Sequence, residues 1–139
     1  MTPTELLKTV YLGDRACKAV SLQGWEKRVT VHVEVISRVR GQAGTWDFYT
    51  AEDIPDGRLV FAEVRRIRFD PSGPIPNDLI NELAISKIDE SSLGKPLYAF
   101  RLSVGSVDEA GMSTEVIVEI EACDFYLEDP RVPERAIRE

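Results

Sequence analysis

The chain has 139 residues, 43% of them hydrophobic and 29% charged, with 17 basic and 24 acidic side chains for a net charge of −7. That length suits one domain able to bury a single core, and the balance excludes a disordered tail, a collagen-like repeat or a coiled coil. A net negative charge also disfavours non-specific attachment to phosphate backbones or anionic lipid.

The charge is unevenly placed. Residues 1–70 hold 11 Lys/Arg and 10 Asp/Glu, whereas residues 71–139 hold 6 and 14, so the negative excess lies in the C-terminal half. Such an acidic face suits a protein partner with a basic surface.

In chain order, the start MTPTELLKTVYLGD has an acid at Glu5 and only short apolar pieces, unlike a secretory leader, and no run approaches the ~20 apolar residues of a membrane span. A cytoplasmic protein without membrane contact is expected. A short helix is expected over Thr4 to Thr9. The segment CKAVSLQGW reads as a strand ending at Gln23-Gly24, which turns through Trp25 into RVTVHVEVIS. There, Val29, Val31, Val33 and Val35 share one face and Thr30, His32 and Glu34 the other, the period-two pattern of a half-buried strand.

RLVFAEVRRIRF carries apolar residues of both parities, Val60, Ala62 and Val64 and then Ile67 and Phe69, so a bulge is expected between Glu63 and Arg66. NDLINELAISKIDE fits two patterns, and one helical turn followed by a strand is the reading adopted. LYAFRLSVGS places Tyr98, Phe100, Leu102 and Val104 inward, and STEVIVEIEACDF does the same for Val116, Val118, Ile120 and Ala122, with Glu115, Glu119 and Glu121 outward. The link DEAGM, whose glycine suits a positive-φ turn position, joins these two as a hairpin. The tail EDPRVPERAIRE, with two prolines, is expected to leave the sheet and lie loosely. Roughly six short strands with little helix predict a mainly β fold, an antiparallel β-sandwich or curled barrel-like sheet with a short helical turn, spanning residues 1–139 as a single domain.

Chemistry is harder to read. One histidine, His32, leaves no multi-histidine metal site, and no phosphate loop or dinucleotide fingerprint occurs. No catalytic residue, metal or cofactor is assigned. In YLGDRACK, Arg15 and Lys18 could lower the pKa of Cys17, but an extended chain puts only Arg15 on the cysteine's face, and Asp14 opposes it. Cys17 and Cys123 are expected to be buried free thiols. Arg38 and Arg40, with Asp14 and Tyr49, are the candidates for a small ligand held between sheets; Trp46, Glu115, Glu119 and Glu121 are those for a protein partner. Nucleic-acid binding through the arginines is disfavoured by the net charge. Exposed edge strands would permit a homodimer.

The run YLGDRACK, the LVF strand of GRLVFAEVRRIRF and the terminal STEVIVEIEACDFYLEDP resemble an uncharacterised family of small bacterial domains, over Tyr11 to Pro130. That family has no assigned activity, so the resemblance implies no residue roles. The general cast, a compact acidic β protein ending in a charged strand, is similar to small immunity proteins of bacterial toxin systems. The best expectation is a non-enzymatic protein-binding domain, with a pocket-bearing ligand binder or enzyme as the alternative.

Overall fold

The computed structural model describes residues 1–40, 51–88 and 94–139. One helix, α1 (Pro3–Leu7), precedes nine strands: β1 (Val10–Tyr11), β2 (Cys17–Gln23), β3 (Arg28–Val33), β4 (Val35–Arg38), β5 (Ile54–Pro55), β6 (Arg58–Asp70), β7 (Ile80–Ile88), β8 (Leu97–Val107) and β9 (Ser113–Glu128). They form a three-stranded sheet, β1-β4-β5, and a six-stranded sheet, β2-β3-β6-β9-β8-β7, with every pairing antiparallel.

The larger sheet curls until its two edges meet at one end. Ala16 bridges Leu79, the Ile80 amide donates to the Arg15 carbonyl at 2.8 Å, and the Cys17 amide donates to that of Asp78 at 3.0 Å. The edges are tied there without closing a barrel. Inside the curl, alternate residues of β3, β6, β8 and β9 make the core. Phe61, Phe100 and Phe125 lie at its centre, with ring centroids 4.9 to 5.3 Å apart. Leu6 of α1, Leu12, and Ile36 and Ile54 of the small sheet join the same cluster. The helix is short but capped: Thr2 Oγ1 accepts the Glu5 amide at 3.2 Å, and Pro3 opens the first turn, where its missing N–H costs nothing.

The expected mainly β, curled architecture is found, and so is the bulge. The β6–β9 register shifts between Val64 and Arg66, and Glu63 takes a positive φ of 52°. Three expectations need correction. The valine strand breaks at Glu34, after which Ile36 rather than Val35 is fully buried. The break is held from both sides: the Ala16 amide donates to Glu34 Oε1 and the Asp56 amide to the Glu34 carbonyl.

No helical turn occurs at the start of β7. A register shift between Ile80 and Glu82 displaces the apolar positions by one, so Leu79, Ile80 and Leu83 imitate a helical stripe within an extended chain. The tail, finally, is not loose. Ile137 exchanges two main-chain hydrogen bonds with Leu127, beyond the point where β8 has ended, and Arg138 grips Asp124 through both oxygens at 2.7 and 2.9 Å. The Arg138 guanidinium also stacks 4.8 Å from the Tyr126 ring centroid.

Candidate functional site

Because neighbouring residues of a strand face opposite ways, the burial of Phe100, Val118 and Ile120 pushes the residues between them onto the outer face of the sheet. There the registers of β6, β9, β8 and β7 align two transverse rows. One runs Arg68, Glu119, Arg101, Ala84, and the next runs Arg66, Glu121, Ala99, Ser86. Large charged side chains thus stand beside three small ones. The result is a trough of about 400 Å³, floored by Ala84, Ser86 and Ala99 and walled by the three arginines and two glutamates.

Arg68 donates to Asp70 Oδ2 at 3.3 Å, but Arg66, Arg101, Glu119 and Glu121 form no ion pair among the described residues. Several charges elsewhere are mutually engaged. Arg40 pairs with Glu52, Arg58 with Glu128 and Arg131 with Asp129. The trough therefore presents charges of both signs that no neighbour has claimed.

The candidates for a small ligand fare differently. Arg38 is buried on β4, its amide donating to Asp53 Oδ1 and its guanidinium to Thr9 Oγ1 and the main-chain oxygen of Glu139. Burial and the adjacent Arg40 hold its pKa below the usual arginine range. Arg40 grips Glu52 through two bonds of 3.0 and 3.1 Å, which draw the Glu52 carboxyl below its ordinary value. These two arginines serve the fold by binding main chain and acids of their own chain. Asp14 adopts a φ of 59° and donates its amide to the Ile80 carbonyl; no bond joins it to Arg38 or Arg40 among the described residues. Tyr49 and Trp46 lie outside the described residues. Among the described residues the space between the sheets is packed with core side chains, and the trough opens on the surface instead.

Both cysteines are buried free thiols, as expected. Burial raises the Cys17 pKa to about 11, so at neutral pH it is a packed thiol, not a nucleophile. Arg15 turns away toward Ser37 Oγ, 2.7 Å distant. His32 faces Asp56 at 3.9 Å, yet burial, with Arg58 and Lys18 nearby, lowers its pKa below the ordinary imidazole value.

Of the protein-partner candidates, Glu119 and Glu121 lie in the trough, whereas Glu115 lines a smaller hollow beside it with Asn81, Ser103 and Ile117. Sequence reasoning missed Arg101, because only the cross-strand register sets it beside Glu119. It also assigned no role to Trp25, which stands 98% exposed at the tip of the β2–β3 hairpin. Its place in the Gln23-Gly24 turn was the available signal.

No helix among the described residues is long and apolar enough to cross a membrane. No curated protein and no solved structure matches the chain. A family model does match, over residues 1–139, and the chain belongs to that family, DUF6258, a family of unknown function.

Proposed function

We propose that this chain is a non-enzymatic protein-binding domain that meets a partner with a basic surface through the outer face of β6, β9, β8 and β7. An immunity-type inhibitor of a bacterial toxin, acting in the cytoplasm, is the specific form of this reading. The observation that carries it is the set of unclaimed charges at Glu119, Glu121, Arg66 and Arg101 around a preformed trough. Interfaces use such alternation to fix register and to reject wrong partners, since a like-charged surface pays for each misplaced contact. The C-terminal half adds 14 acids against 6 bases. Lysines or arginines of the partner would meet Glu119 and Glu121, and its carboxylates Arg66 and Arg101.

The test is calorimetric affinity for the basic protein retained by this chain from its host, compared between the native sequence and the double variant Glu119→Lys, Glu121→Lys. At least about a tenfold loss, roughly 1.4 kcal/mol, is expected. Unchanged affinity removes the face as the interface.

A second reading, a small charged metabolite seated in the trough, rests on its volume of about 400 Å³ and the arginines among its lining residues. A thermal-shift screen of carboxylate and phosphate metabolites tests it. A hit abolished by Arg101→Ala favours this reading, and a stability unmoved by any of them removes it.

A further inference from the structure

A second concavity, about 570 Å³, opens between residues 71–79 and the tip of the β8–β9 hairpin. Its lining includes Ile75, Val107 and Met112, which are 70%, 36% and 65% exposed. Single exposed apolar side chains are ordinary on a protein surface, but three around one hollow make a patch.

The hollow is built rather than incidental. The Asn77 side chain donates to the Val107 carbonyl at 3.1 Å and accepts the Val107 amide at 2.9 Å, as a neighbouring strand would. The amides of Asn77 and Asp78 both donate to the Gly105 carbonyl, and the Gly105 amide donates to that of Leu79. The approach is so close that a Cβ on Gly105 would lie 3.2 Å from the Asp78 Cβ. On the other wall, Asp108 Oδ1 accepts the amides of Ala110 and Met112, each at 2.9 Å, fixing the hairpin tip.

Its charge is of one sign. Among the residues that line it, Asp108 and Glu109 are the charged ones, both acidic, and no lysine or arginine joins them. Neither has an ion-pair partner among the described residues. An apolar hollow edged by two unpaired carboxylates matches a basic occupant with an apolar side chain.

We propose that this hollow docks a basic protein segment that presents one long apolar side chain between lysines or arginines. The apolar side chain lies among Ile75, Val107 and Met112, and the flanking cations meet the carboxylates of Asp108 and Glu109. A phosphate-rich polymer or an anionic membrane would meet repulsion at the same rim. The site uses no residue of the sheet-face trough, so it stands or falls separately from the function proposed above.

The experiment is a titration of the ¹⁵N-labelled full chain with the capped peptide Lys-Lys-Leu-Lys-Lys and, in parallel, Glu-Glu-Leu-Glu-Glu. Saturable amide shifts confined to residues 74–78 and 105–114 are expected with the basic peptide alone. Glu109→Lys and Met112→Ser, both at exposed turn positions, should each weaken binding at least about fivefold while leaving the spectrum dispersed, and added salt should weaken it further. Shifts that spread evenly, that map to the Glu119 and Glu121 face, or that appear equally with the acidic peptide would overturn the proposal. So would variants that bind as tightly as the native chain.

Discussion

Cys17 shows how a residue's surroundings decide its chemistry. Its sequence neighbours, Arg15 and Lys18, suggest an activated thiol, but Arg15 is turned to Ser37 and Lys18 to Asp56, leaving the sulfur in the core. A pKa of about 11 leaves well under 1% thiolate at pH 8, whereas a free cysteine is roughly a quarter ionised there. In a Cys123→Ser background, the native fold should therefore react with a disulfide reagent at least about a hundredfold more slowly than the urea-unfolded chain. Equal rates would place the thiol at the surface. The same locality rules the arginines: Arg38 and Arg40 look available as a sequence motif, yet both are spent on groups of their own chain, while Arg101, unremarked as a letter, stands unclaimed.

Elements were legible where alternation was uninterrupted. β8 and the first half of β9 place Tyr98, Phe100, Val118 and Ile120 inward as their period-two pattern demands, and the parity change in β6 announced its bulge. Legibility failed at the start of β7 and where the chain bent. The shift at Ile80/Glu82 made a strand resemble a helix, and the bend at Glu34 depends on bonds from Ala16 and Asp56, too distant in sequence for any local window. The trough was legible only in part, since Glu119 and Glu121 follow from strand parity but their arginine neighbours follow from register. The docking of residues 71–79 on β8 gives a prediction at this scale. Gly105→Ala sets a Cβ 3.2 Å from that of Asp78, closer than ordinary contact, so the segment around Asp78 must shift by a few tenths of an ångström. The substitution should speed amide exchange at Asn77 and Asp78, whose hydrogen bonds end on Gly105. Exchange unchanged from the native protein would show that the loop does not rely on that approach.

For the whole molecule, the tail matters more than its prolines and charges suggest. Arg138 holds the Asp124 carboxyl below its ordinary range, chiefly through their hydrogen bonds and against the opposing effect of burial. A carboxyl depressed in the folded state adds stability above its unfolded pKa of about 4 and loses it as the pH falls through the folded value. Stability should therefore decline as the medium is acidified below about pH 4. Arg138→Ala should lower stability at pH 7 and flatten that decline; denaturant midpoints at pH 7, 4 and 3 measure both effects. An identical pH dependence in the variant would leave the pair no part in acid sensitivity. The ladder between β6 and β9 has a different consequence. It joins Arg58 to Glu128 at one end and Asp70 to Ile117 at the other, so the two central strands of the sheet are drawn from opposite halves of the chain. Each half can close a hairpin of its own, β2 with β3 or β8 with β9, but neither contains the sheet's middle. Assembly must wait for a distant encounter, which favours slow folding and makes the two halves natural subjects for reconstitution from fragments.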